Sequence, residues 1–261
     1  MKLKEIIKAF EENYPTELAY KWDKVGLMVG DLESQVSKVM VVMEVNNEVL
    51  KEAIKEEVGL IITHHPLIFK PLQMIEKSDP RGSLIYGLIE NKISLYSAHT
   101  NFDVANEGLN SYISKILELN DVEGFDMAET PETYLGRIGK LKESMTLEEV
   151  SLYIKEKLKL DFIKLIGKKD DKIEKLAIIT GSGVSSMIAA KKAGCDVFLT
   201  GDIKYHDAMD ALENGINLID AGHFGTEKFF GEIAKNYLER VLPKEIEIIE
   251  ANSLKDPFEL I

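Results

Sequence analysis

The five histidines of the chain all lie in polar-punctuated stretches just after strand-like apolar runs, and four of them stand beside a carboxylate or another histidine at spacings that suit metal ligation. The stretches read VGLIITHHPLIF (58–69), ISLYSAHTNFD (93–103), DVFLTGDIKYHD (196–207) and INLIDAGHFGTE (216–227). Imidazole nitrogens suit zinc, iron, manganese, cobalt or nickel, and carboxylates can bridge two cations. His64, His65, Asp103, His223 and Glu227 form the expected ligand set. Five protein ligands on two cations leave open positions for water, as hydrolytic centres require and closed structural sites do not. His99 and His206 are expected to orient a ligand or pass a proton, the plainer reading of each being a hydrogen-bonded loop histidine.

Each residue also has a plainer reading. Neighbouring side chains of an extended segment point to opposite faces, so His64 and His65 reach one site only if the chain turns there, which Pro66 encourages. Asp103 precedes a helical period, VANEGLNSYISKIL, and can act as its N-cap. His223 and Glu227 are one helical turn apart, with Thr226 as a cap, and Glu227 can serve as a first-turn carboxylate complementing a helix dipole. Gly181-Ser182-Gly183 lacks the lysine and spacing of a phosphate-binding loop and reads as a tight turn. Trp22 reads as core rather than as a rim contact, and Lys204 with Tyr205 as solvated rather than substrate-holding.

The elements that must position these residues repeat. Gly30, Lys38, Ala53 and Thr63 recur at a fixed offset as Gly167, Lys175, Ala190 and Thr200, and the apolar runs around them follow. With a shorter loop in the second copy, Glu90 to Leu95 recurs as Glu213 to Leu218 and Ala98 as Ala221. Leu3 to Ile7 and Leu147 to Ser151 each open a helical pattern. The fold class is therefore α/β, with two similar halves related by internal duplication and a mixed or parallel sheet in each. The polar stretch Asp121 to Glu132 sets the boundary, giving domains over 1–127 and 128–261, with the C-terminal helix able to pack back on the first. In open α/β sheets reactive side chains gather beyond the carboxyl ends of strands. The candidate ligands obey this, so the metal site is expected where the two halves face each other.

Bulk properties narrow the classes. A chain of 261 residues builds a proper core without disulfides or structural metal. Forty-five acidic against thirty-two basic residues, a net charge of −13, argue against a nucleic-acid partner. The one cysteine, Cys195, reads as a small buried residue and fits a reducing cytoplasm. The N-terminus reads as an amphipathic helix rather than a signal peptide, and no apolar run is long enough to span a bilayer.

These residues carry a resemblance. The motifs WDKVGLMVG (22–30), THHPLIF (63–69), AHTNFD (98–103), LTGDIKYHDAMDA (199–211) and DAGHFGTE (220–227) are similar to those of the GTP cyclohydrolase 1 type 2 family, the Nif-three-like metal proteins, over nearly the full length. Lys24, Met28 and Glu44 depart from the residues usual in that family, and the chain resembles its short members, which lack an inserted domain. The resemblance implies two similar α/β domains, a dinuclear centre held by His64, His65, Asp103, His223 and Glu227, and a ring-like homohexamer. It further implies a metal-dependent hydrolase in which activated water attacks a nucleotide or related small molecule; the alternative is a non-catalytic protein that binds, stores, senses or scaffolds metal.

Overall fold

Short runs of valine, isoleucine and leucine, bounded by glycine and polar turns, become strands in the computed structural model, which describes residues 1–259. The first part of the chain runs α1 (Leu3–Glu11), β1 (Gly26–Val29), β2 (Lys38–Val42), α2 (Asn47–Lys55), β3 (Leu60–Thr63), α3 (Pro80–Glu90), β4 (Ser94–Ser97), α4 (Thr100–Val104) and α5 (Leu109–Ile116). It continues through β5 (Asn120–Met127), β6 (Tyr134–Thr146), α6 (Leu147–Lys157), β7 (Lys164–Ile166), β8 (Lys172–Ile178), α7 (Met187–Lys192) and β9 (Val197–Thr200). The last elements are α8 (Tyr205–Glu213), β10 (Asn217–Asp220), α9 (His223–Glu227), α10 (Phe230–Val241) and β11 (Glu247–Glu250). Among the described residues no helix is long and apolar enough to cross a membrane.

The chain divides into two units, Met1–Ala105 with the segment from Lys228 onward, and Asn106–Glu227. The cut expected between residues 127 and 128 falls inside the second unit instead. Antiparallel pairing is the reason: β5 and β6 form a ladder from Asn120 opposite Lys140 to Met127 opposite Tyr134, which holds both sides of that cut on one sheet. Helix α10 belongs to the first unit, where it lies against β2 and β11.

The first unit carries a five-stranded sheet, β1-β4-β3-β2-β11, and the second a six-stranded sheet, β5-β6-β8-β9-β10-β7. The repeat in the sequence is visible as shared topology: β1-β4-β3-β2 and β7-β10-β9-β8 have the same order. In both, the outer strand runs antiparallel (β1 to β4, β7 to β10) and the rest are parallel. The matched glycines explain themselves. Gly30 (φ +142°) and Gly167 (φ +131°) follow the antiparallel strands, and a Cβ on them would stand 2.5 Å from Ser94 Oγ and 2.0 Å from Asn217 Oδ1. What differs is the far edge, extended by β11 beside β2 in one unit and by β6 and β5 beside β8 in the other.

Strands β3, β4 and β9 are buried at every position, as central strands covered on both faces must be. Met40, Ile61, Leu88 and Leu95 centre the core of the first unit, and Ala177, Phe198 and Leu218 that of the second. Helix starts are specified locally. The Asn46 side chain accepts from Glu48 N and Val49 N at the head of α2, and Thr146 with Glu149 forms a capping box at α6. Cys195 is half-buried rather than fully buried, and its surroundings push the thiol up to about 12, so it is protonated at neutral pH. Trp22, expected in the core, is instead 57% exposed, while its neighbour Asp23 is buried.

Candidate metal centre

In the first unit the chain bends at His64 and His65 as soon as β3 ends at Thr63, so the two imidazoles do not alternate across a pleat. Two backbone bonds fix the bend: His64 N and His65 N both donate to Met43 O, at 3.1 and 2.8 Å. The His64 ring is fully buried beside Phe102 and Phe230, with centroids at 6.3 and 5.3 Å. Its Nδ1 lies 2.9 Å from Ala98 O. A carbonyl oxygen only accepts, so Nδ1 carries the proton and Nε2 keeps the lone pair, the tautomer a metal needs. Nε2 is 3.7 Å from Asp103 Oδ1.

His65 and His99 complete this corner. Their ring centroids lie 5.2 and 5.1 Å from that of His64, and one ring nitrogen from each of the three falls within 4.8 Å of the others. His99 Nδ1 donates to Asp23 Oδ2 at 3.0 Å, and the same oxygen accepts from Thr100 N at 3.0 Å and Thr100 Oγ1 at 2.6 Å. Burial opposes ionisation of Asp23, yet bonds from His99 and Thr100 outweigh it and hold the carboxyl below its ordinary range. Burial likewise opposes a charged His99, but the Asp23 bond and the Asp103 charge raise its pKa, so it retains a proton more readily than an ordinary histidine. Asp103 lies inside the short helix α4, and α5 takes Gly108 as its N-cap, so the capping reading of Asp103 does not hold.

In the second unit the loops after β8, β9 and β10 gather the other donors. His223 opens α9 and Glu227 closes it. His223 Nδ1 lies 2.7 Å from Asp202 Oδ2, and Nε2 lies 2.9 Å from Glu227 Oε2, the pairing one helical turn provides. The two atoms are close enough together that both would ligate a single cation bound there. Glu227 is buried and sits at the end of α9, so it is not a first-turn carboxylate. Thr226 does not cap either: its Oγ1 accepts from Gly181 N at 2.9 Å and donates toward the carbonyls of Gly222 and His223.

Glycines make this approach feasible. A Cβ on Gly181 (φ +63°) would stand 2.0 Å from Glu227 Oε1 and 3.2 Å from His223 Nε2, and one on Gly201 would stand 2.7 Å from His223 N. The Gly181-Ser182-Gly183 turn therefore has a stated purpose, room for the Glu227 carboxylate. Gly181→Ala is expected to displace Glu227, lowering cation affinity by about tenfold or more and stability by about 1–3 kcal/mol. Chelator competition and urea unfolding check the two effects separately.

The structure places the remaining residues singled out in the sequence differently. His206 is exposed at the start of α8 with its ring against Tyr205, and the group that holds His223 is Asp202. Lys204 and Tyr205 are exposed. Asp23 was missed as the partner of His99, although it stands in the WDKVGLMVG motif. The donor chemistry of both units, imidazole with carboxylate, fits a first-row divalent cation.

Comparison with known proteins shows the family. Residues 1–257 match the family described as Duf34/NIF3 (NGG1p interacting factor 3). The chain is 39% identical over the whole length of both proteins to a GTP cyclohydrolase 1 type 2 homolog of Clostridium perfringens. A homolog of the same name from Campylobacter jejuni is 37% identical, with 99% of each chain covered. Among solved structures, a Bacillus cereus protein related to NIF3 superposes with a TM-score of 0.92 at 28% identity, covering 100% of this chain and 99% of that one.

Proposed function

Because the chain belongs to the Duf34/NIF3 family, we propose that it is a dinuclear metal-dependent hydrolase in which His64, His65 and Asp103 of the first unit and His223 and Glu227 of the second hold two divalent cations. One observation carries this reading, and it occurs once in each unit. The Nδ1 of a site histidine is fixed by an oxygen, Ala98 O for His64 and Asp202 Oδ2 for His223, which leaves Nε2 facing a carboxylate. Proteins prepare histidine for a cation in this way.

Divalent cations bound there supply Lewis-acid polarisation and lower the pKa of water. The chain's own groups do the rest. Asp202 and Ala98 O hold two imidazoles in one tautomer, Gly181 gives Glu227 room to approach, and His99, backed by Asp23, keeps a proton beside His64 and His65 for transfer to a leaving group. The name of the relatives, GTP cyclohydrolase 1 type 2 homolog, extends the proposal to a nucleotide substrate. The same kinship extends it to a homohexamer.

Turnover of cation-loaded protein against GTP and other phosphorylated nucleotides tests the reading, with His65→Ala as control. Hydrolysis that needs the cation and falls at least about tenfold in the variant is expected. Equal rates for both proteins defeat catalysis at this site; cation binding with no turnover leaves a metal-storing or metal-sensing protein in its place.

A further inference from the structure

Aromatic side chains leave water on folding, so a cluster of large rings left in solvent beside a reactive corner needs a reason. Trp22 is 57% exposed and Phe69 44%. They are not scattered. Trp22 stacks on Tyr20 with centroids 5.8 Å apart and planes 16° apart, and meets Phe69 edge-to-face at 6.0 Å. Both rings also meet His99 edge-on, each at 6.4 Å, and His99 in turn touches His64 and His65. The exposed rings therefore continue directly from the histidine corner, within one unit of the fold.

Stacking alone would be served as well by burial. Lysines also neighbour these rings in the sequence, Lys21 and Lys24 on either side of Trp22 and Lys70 after Phe69, in a chain whose net charge is −13. Lys24 and Lys70 are exposed. An exposed indole edge-to-face with a phenyl ring, with cationic side chains next in sequence, has the composition of a surface that takes a flat ring carrying negative charge.

We propose that Trp22 and Phe69 form a stacking platform for a planar, anionic aromatic ligand, and so determine which substrates reach the histidine corner. This rests on the reading of that corner as the reactive site. Trp22 and Phe69 are positioning residues in this account: they hold the ring, and His64, His65 and His99 lie beside the group that reacts. Nothing else in the first unit offers a pair of exposed aromatic rings in contact with a site histidine among the described residues.

Trp22 is the one tryptophan of the chain, so its emission reports on the platform directly. Cation-loaded and chelator-treated protein is titrated with adenosine monophosphate, nicotinate and 4-hydroxybenzoate as flat probes, and with ribose phosphate and cyclohexanecarboxylate as non-aromatic controls. Saturable quenching by at least one flat probe and by neither control is expected. Phe69→Ala should weaken that probe about tenfold, measured by equilibrium dialysis, with the metal content unchanged; Phe69→Tyr should restore binding, which a merely structural role would not require. No quenching by any flat probe, equal quenching by the controls, equal affinity of Phe69→Ala, or emission that depends on protein concentration and not on the probes overturns the platform. The last of these outcomes would place a second copy of the chain on these rings. Flat probes that bind normally to a protein unable to take up metal would sink the hydrolase reading and leave the platform standing, so the two fail separately.

Discussion

Replacing His64 with alanine is expected to lower cation affinity by about a hundredfold or more and to destabilise the protein by about 2–4 kcal/mol. The two losses have different causes. His64 is fully buried against Phe102 and Phe230, so truncation opens a cavity in a site with little freedom to collapse. It also removes the Nε2 that faces Asp103 and strands Ala98 O, the acceptor that fixed the ring. His64→Leu separates the effects: it refills most of the volume, so the urea midpoint should recover toward wild type while chelator competition still shows the cation affinity lost. Recovery of both would mean that His64 is a packing residue.

Asp23→Ala is expected to cost about 2–4 kcal/mol with little change in metal content, the second largest effect. One carboxylate oxygen accepts from His99 Nδ1, Thr100 N and Thr100 Oγ1, so truncation leaves three donors in a buried place without their acceptor. Asp23→Asn keeps the shape and one acceptor oxygen and should cost less. Because Asp23 acts through His99, its loss should lower turnover while the elemental content stays near that of the wild type. A fall in metal content equal to that of His64→Leu would make Asp23 part of the ligand set instead.

Much of this was legible in the sequence, and the reasons are physical. Glycines recur at Gly30 and Gly167 because a backbone with positive φ must pass against Ser94 and Asn217, and such a constraint survives when most side chains diverge. The apolar runs ending at Thr63 and Thr200 announce buried parallel strands, and the histidines and carboxylates after them sit where a parallel sheet delivers polar groups. The i, i+4 pairing of His223 and Glu227 follows from helical geometry alone.

Other features depend on contacts between residues far apart in the chain, which spacing does not encode. Asp23 meets His99 across 76 positions, and His223 meets Asp202 across 21. The division of the chain followed strand pairing between β5 and β6 rather than the polar composition of Asp121 to Glu132, much of which forms β5. Trp22 left its expected place in the core because hydropathy alone assigns an indole there, whereas three donors, one from His99 and two from Thr100, bury its neighbour Asp23. Beside its reading as a ligand, Glu227 allowed a second as a first-turn carboxylate; the structure has it close the short helix α9, and the first-turn acid of the following α10 is Glu232.

The central claim is that donors from both units serve divalent cations, and metal stoichiometry tests it most directly. Elemental analysis of the protein, dialysed against a limiting supply of first-row cations, should give about two ions per chain. His64→Leu in the first unit and Glu227→Gln in the second should each reduce that to one or fewer. Wild-type protein that retains no cation, or two variants that retain as much as the wild type, would contradict the account.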